Sequence, residues 1–478
     1  MLRVSAICEA AGVPASTLVC EGFLRQATAT SKGLGLPNMP VALVVGHPDA
    51  QSVEELRRNT LEVTTERVIQ NLMQGGTLDA LEAEPDEHEV VFRGGFEEVN
   101  DYYCDNEWSD GLPIVPPTRE RIERFLEFTE RRPDEVLGVM LPDNRAATIW
   151  NIAVNGVMAG CRPEYMPILV ALVEAMADQT YGVEHSGNTP GSETLIILNG
   201  PIIKRLGFNY TQGVLRDGFR PNTTVGRFWR LYLRNVAGFL PHKTDKGTFG
   251  NTFRVVCAEN EDVLAKIGWD ATSVDMGFAA GDNTVTVSRM TGGNVIASIS
   301  GSTPEGILAN VAYSLVRQMT WQLTFTLGSA YGTLRPQVLL TPILAETIAR
   351  AGWSKRDVKQ YLFDHARTPA WELERNLRDW MNKPIWNLSE EAKAGRIPPV
   401  FCASDDPNRL VPQVFKPEDY MVAVTGDPMR TNAYVFAQNG RLGFPVGKKI
   451  ALPAAWDELL AKVGRCDAAG AVCRWSRT

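Results

Sequence analysis

Apolar residues along the chain follow two rhythms, and the switches between them outline a set of elements. Near the N-terminus "SAICEAAG" reads as a helix end stopped by Gly12, "ASTLVC" as a strand, and "GFLRQATATSKGLG" as a helix ending at Gly33 or Gly35. "MPVALVVGHP" is a near-continuous apolar run, the mark of a buried parallel strand. "SVEELRRNTLEVTTERVIQNLM" is a long amphipathic helix, with Ser52 and Glu55 spaced as a capping box. Helix–strand–helix–strand–helix order predicts a small doubly wound parallel sheet over residues 1–74.

The rhythm then fades. "TLDALEAEPDEHEV" carries a run of carboxylates and reads as a solvated connector within 75–105. A larger α/β region follows. "DGLPIVPPT" predicts a short strand and a turn into the helix "RERIERFLEFTERR". Two apolar helices come next, "RAATIWNIAVNGVMAG" and "PEYMPILVALVEAMAD". "ETLIILNGPI" is a buried strand, and "NTTVGRFWRLYLRNV" a helix capped by Asn222. "NTFRVVCAEN" and "NTVTVSRM" read as strands, and a further helix starts near Thr303, Pro304 and Glu305.

"RPQVLLTPILAETIARAGWSKRDVKQYLFDHA" echoes "GLPIVPPTRERIERFLEFTERRPDEVLG", and "YMVAVTGDPM" echoes "TLIILNGPI". The fold class expected is therefore α/β: a small doubly wound N-terminal domain plus a larger α/β domain with a candidate internal pseudo-repeat. The expected boundaries are 1–74, a connector at 75–105, α/β halves at 106–300 and 301–460, and a flexible tail at 461–478.

Composition adds exclusions. The 478 residues are 44% hydrophobic and 22% charged, with a formal net charge of −8. That balance is globular, and without a basic stripe it argues against a nucleic-acid partner. No apolar run reaches the roughly 18 residues of a membrane span, so the expected location is cytoplasmic. Eight cysteines form no CxxC pair, and five histidines form no HExxH or HxxxH motif. Neither a disulfide framework nor a metal site is expected, and no motif names a cofactor.

Candidate chemistry starts at "NGVMAGCRPEYMPI". Pro163 suits the first position of a helix, which would set Cys161 beside unpaired N–H groups. A thiolate there gains from the helix dipole, and Arg162 adds to it. Asn155, one and a half turns earlier, would line the same pocket. Cys20, Glu21 and His47 follow the two N-terminal strands, where ligands of doubly wound sheets bind; Cys20 and His47 would be nucleophile and base. In "GFRPNTTVGRFWR" the helix start at Asn222, flanked by Arg220 and Arg227, suits an anion. Asn199 and Gly200, in "LNGP", end a buried strand where a ligand approaches the backbone. For each, the bland alternative is a packed or solvated residue.

The stretch carrying Gly12-Val13-Pro14, Glu21 and Phe23, Gly33 to Pro37, and His47-Pro48 resembles the UGSC family. That family is named for a selenocysteine- or cysteine-containing Gly-Ser-Cys tetrad, which implies thiol or selenol chemistry. The tetrad lies upstream of the matching stretch, and this chain holds neither UGSC nor CGSC. The resemblance therefore transfers Glu21 and His47 alone, and it leaves room for a partner chain that completes the N-terminal sheet. Residues 106–450 look like a longer region sometimes joined to such domains.

The expectation is an enzyme acting on a small anionic metabolite by thiol-dependent chemistry: C–S bond formation or cleavage, or a related addition–elimination. Cys161 would be the thiolate. Arg220, Arg227 and Asn222 would hold the anion, and Glu21 and His47 would move protons. The alternatives are a cofactor-free lyase or hydratase using Glu and His, and a non-catalytic subunit. The chain would act as a homo-oligomer or with a short partner chain.

Overall fold

The computed structural model describes residues 2–74, 86, 88–252, 254–329, 331–380, 387–438 and 443–463. The acidic stretch 75–85 and most of the expected tail (464–478) lie outside the described residues.

In the N-terminal unit, helix Leu2–Ala10 precedes strand β1 (Thr17–Cys20), helix Leu24–Gly33 and strand β2 (Val41–Val44). The two strands pair in parallel, Thr17 opposite Val41 and Cys20 opposite Val44. The long helix is interrupted. Val53–Asn59 and Thr65–Gln74 are α-helical, with a wider π turn at Thr60–Thr64 between them. The capping box is formed: the Ser52 hydroxyl accepts from Glu55 N, and Ser52 N donates to Glu55 Oε2 at 2.9 Å. Thr64 Oγ1 donates to Leu43 O at 2.7 Å and ties this helix to β2.

The larger region is organised around one mixed sheet. After the two-stranded pair β3 (Val136–Met140) and β4 (Arg145–Thr148) come β5 (Glu193–Asn199), β6 (Val256–Ala258), β7 (Thr284–Ile296) and β8 (Gln337–Leu340). A second small pair, β9 (Arg367–Pro369) and β10 (Leu410–Pro412), precedes β11 (Met421–Val424), β12 (Ala433–Gln438) and β13 (Val446–Lys449). The main sheet runs β11-β8-β12-β7-β5-β6, with β13 on β7. Strands from before and after residue 300 meet along β7. Its first half pairs with β5, its second half with β12.

The sheet curls until its edges meet. Asn260 N donates to Val424 O at 2.8 Å, and Thr425 Oγ1 donates to Ala258 O at 2.8 Å, linking β6 to β11. The buried Glu259 carboxylate reinforces this seam by accepting from Asn199 Nδ2 and from the backbone N of Thr272 and Val424. Across the interior, Ser288 of β7 faces Met421 of β11 at 3.9 Å. Alternation along each strand then explains three cores. Leu195, Ile197, Cys257, Met290, Leu339, Ala423 and Phe436 fill the inside of the curl. Ile196, Leu198, Val256 and Val287 face outward onto helices Ile149–Met158, Met166–Ala177 and Arg220–Asn235. Val338, Leu340, Val422 and Val435 face outward onto helices Pro304–Ser329, Pro342–Arg350 and Lys355–His365. Both faces of the sheet are covered, which is why β5 is buried along its whole length.

The halves repeat in topology. β5 and β8 each carry a parallel outer neighbour (β6, β11) and an antiparallel inner one (β7, β12). The alignment suggested by local similarity is different. Residues 112–117 form no strand, so the counterpart of β8 is β5. A Pro-Thr turn before a helix imitates a strand end, but in the proline-rich stretch Ile114 N donates to Asn100 Oδ1 and Val115 N to Met158 O, a helix residue, rather than to a strand. "LNGP" and "VTGDP" do share a turn with φ near +100° at Gly200 and +94° at Gly426. At Gly200 a Cβ would lie 2.6 Å from Asn283 Cα, so a side chain there is excluded.

Candidate functional site

Helix Ile149–Met158 has two faces. Ile149, Ile152, Ala153 and Val157 are buried in the core of the first half. At Gly156 an added Cβ would come within 2.8 Å of Leu169 and Phe125, so neighbouring elements close tightly on that side. Trp150, Asn151, Val154, Asn155 and Met158 occupy the other face, at helical spacing, and form the floor of a cleft of ≈ 1990 Å³. Residues 88–96 and 115–122 make one wall, and Asp143–Ala146, Asn235 and Lys243 another. Ala29, Lys32, Gly33 and Pro37 of the N-terminal unit complete the rim.

The rim is held by a close approach. A Cβ on Gly33 would lie 2.4 Å from Pro142 O, and one on Gly238 would overlap the Asp143 carboxyl. The Pro142–Asn144 turn therefore fits between two glycines, and Arg145 leaves it into the cleft. Arg145 is oriented by Asp143 Oδ2 at 3.0 Å and by Asn235 O at 3.1 Å. Beside it runs an amide chain. Asn235 Nδ2 donates to Asn155 Oδ1 (2.8 Å), Asn155 Nδ2 to Asn151 O (2.9 Å), and Tyr232 Oη to Asn151 Oδ1 (2.7 Å).

Aromatic rings furnish the rest. His88 lies over Trp150 with centroids 4.2 Å apart, Phe92 stacks on Tyr102 at 4.6 Å, and Tyr103 meets Trp108 edge-on at 5.5 Å. Burial, with Tyr102 adding, pushes the Tyr103 phenol up to about 12, so it stays protonated at neutral pH. Among the described residues, Lys32, Arg93, Arg119, Arg121, Arg145 and Lys243 line the cleft against Asp86, Glu89 and Asp143, with Lys243 itself paired to Glu107. This local excess of positive charge stands out in a chain of net charge −8.

Of the residues singled out from sequence, Asn155 lines this cleft. Cys161 does not, and its setting opposes an ionised thiol. Gly160, at φ +80°, ends helix Ile149–Met158, with Gly160 N donating to Val157 O and Cys161 N to Gly156 O. This is a Schellman closure with Cys161 at its apolar position. Cys161 thus sits at the negative end of one helix dipole. The next α-helix begins only at Met166, after a 3-10 turn at Pro163–Tyr165, and Arg162 pairs with Glu164. The thiol is 6% exposed in the core. Burial pushes it up to about 12, against the lowering effects of Thr224, Arg220 and Arg227.

The expected anion site is also occupied by the protein itself. Asn222 is no cap: the helix starts at Arg220, and the fully buried Asn222 amide bonds Asn209 N, Asn209 O and Val256 O. Arg227 forks onto Asp110 at 3.0 and 2.8 Å. Burial alone would raise the Asp110 carboxyl, but hydrogen bonding and charge from Arg227, with Arg254, hold it below its ordinary value. Arg220 is exposed, 3.4 Å from Gly160 O. Asn199 Nδ2 bonds Glu259 and Glu261, and Gly200 N bonds Glu261, so β5 ends in protein carboxylates rather than an open ligand edge.

Glu21 and the turn at His47 do share one edge of the N-terminal sheet, with Gly46 N donating to Glu21 Oε2 at 3.2 Å. The His47 ring is 62% exposed and accepts from Asp49 N. Cys20 is half-buried. None of the three lines the cleft or meets Cys161. Sequence reasoning missed Arg145, Asn151, Asn235, His88 and Tyr103. The available signal was Asn151 and Asn155, four residues apart on an otherwise apolar helix.

Residues 2–74 match the UGSC family. No curated protein and no solved structure matches the chain. No helix among the described residues is long and apolar enough to cross a membrane.

Proposed function

We propose that the chain is an enzyme of the lyase or hydratase kind, acting on a small anionic metabolite in this cleft through acid–base side chains, with its cysteines inert. The observation that carries the reading is the concentration of basic side chains around a pre-oriented Arg145 in an otherwise acidic protein. A guanidinium fixed by two partners of its own loses little freedom on meeting a carboxylate or phosphate. Tyr103, held protonated, suits proton donation to a leaving or developing oxyanion. His88, on the same wall and over Trp150, suits removal of the substrate proton. The N-terminal unit, which contributes helix Leu24–Gly33 to the rim, would close the cleft against water.

The test is calorimetric titration of the full chain with a panel of small carboxylates and phosphates. At least one should bind, and Arg145→Ala should weaken it by about tenfold or more, the scale of a hydrogen bond to a charged group. A panel without a binder, or binding indifferent to Arg145, contradicts the reading.

A further inference from the structure

The cleft carries more apolar surface than a simple anion can use. Val90, Phe92, Phe96 and Val115 are 46, 37, 61 and 37% exposed, and all four line it. Large apolar side chains gathered in one concavity mark a binding surface, whereas scattered ones need no explanation. Tyr103 and Trp108 continue the same wall. The volume of ≈ 1990 Å³ exceeds the roughly 300–1,000 Å³ of an ordinary small-molecule pocket, which leaves space for a body beyond the charged group.

We infer that the ligand is an amphipathic carboxylate: a ring-bearing body that lies on the Phe92–Phe96 wall, with its carboxylate directed to Arg145. The inference rests on the anion reading above and adds the other half of the ligand. Charge complementarity points to the headgroup, because basic side chains outnumber acidic ones among the described residues that line the cleft. The flat body follows from the wall, where rings present faces and edges to the space. Arg145 provides donors on the second wall, held beside the amide chain Asn151–Asn155–Asn235. The 88–95 segment offers rings and β-branched side chains, and the only strongly polar groups between Val90 and Phe96 are on Arg93.

The experiment uses the full chain and a graded series read by calorimetry: acetate, benzoate, 2-naphthoate and the neutral 2-naphthylmethanol. Affinity should rise with ring area, with 2-naphthoate binding about tenfold or more tighter than acetate. 2-Naphthylmethanol should bind at least about tenfold more weakly than 2-naphthoate. Phe96→Ala, an exposed position that leaves the core untouched, should narrow the gap between 2-naphthoate and acetate. If acetate and 2-naphthoate bind equally, the amphipathic inference fails while the anion reading stands. If the alcohol binds as well as the acid, the anionic headgroup fails. If none of the acids binds, both fail. If Phe96→Ala leaves the gap intact, the ring-bearing body does not lie on this wall.

Discussion

Two sides of one helix make the most instructive contrast in this molecule. At the C-terminal end of Ile149–Met158, the chain turns through Gly160 and buries Cys161 among apolar side chains. On the opposite side, Trp150, Asn151 and Asn155 open into a cleft bordered by basic residues. The corner looked reactive in the sequence because a cysteine, an arginine and a proline stood together. In three dimensions its polar groups are consumed within the protein: Arg227 by Asp110, Arg162 by Glu164, Asn222 by the backbone. A reactive-looking set of residues at a helix junction is often holding the junction shut. Concavity, together with charge that exceeds its local partners, is the better guide to where a ligand goes.

If the corner is structural and the cleft functional, substitutions should separate into two classes. The largest effect belongs to Arg227→Ala. It leaves Asp110 buried and without its forked partner, and should cost about 3–5 kcal/mol in urea unfolding. Any effect on ligand affinity should be secondary to that loss. Next is Arg145→Ala, with a loss of about 1.5–3 kcal/mol of binding free energy and little change in the unfolding midpoint, since its side chain is 35% exposed.

Cys161→Ser places a hydroxyl in an apolar corner and should cost about 1–2 kcal/mol of stability, leaving ligand affinity alone. Alkylation sharpens the same point. Because burial raises its pKa, the Cys161 thiol stays almost wholly protonated at pH 8. The exposed Cys104 should therefore react with iodoacetamide well before Cys161 in the native protein, as peptide mapping would show. Early modification of Cys161 would blur the contrast.

The smallest effect is in acid. The folded Asp110 carboxyl titrates below its unfolded value, so its contribution to stability is complete above the unfolded pKa near 3.9. It is lost as the pH falls through the lower folded value. Protonation should weaken the fold less than deletion of Arg227, because a neutral carboxyl still accepts hydrogen bonds. Urea midpoints measured between pH 5 and 2 in wild type and in Asp110→Asn should converge toward the acid end.

Much of the architecture was legible in the linear pattern. The N-terminal order of elements, the Ser52–Glu55 capping box and the buried strands around Leu195 and Val422 follow from local periodicity and capping chemistry. The wider turn at Thr60–Thr64 did not, because the residues there fit an α-turn as well as an i→i+5 turn and no residue type marks the extra position. The helix Phe96–Asp105 was hidden by its acidic first turn, which resembled the connector before it. The correct partner of β8 was invisible because sheet pairing joins residues far apart, while a Pro-Thr turn before a helix recurs cheaply. The cleft was the least legible part. Its lining comes from residues 29–37, 88–122, 143–158 and 235–244, and no window of sequence contains two of its walls. Asn155 was found from its nearness to Cys161, yet it points to the side of the helix that the cysteine does not reach.

The most direct test is a parallel titration of wild type, Arg145→Ala and Cys161→Ser with 2-naphthoate, each first shown to be folded. The account predicts a loss of about tenfold or more for Arg145→Ala and an affinity within about twofold of wild type for Cys161→Ser. A full-strength Arg145→Ala beside a Cys161→Ser that no longer binds would contradict it, and would return function to the buried corner.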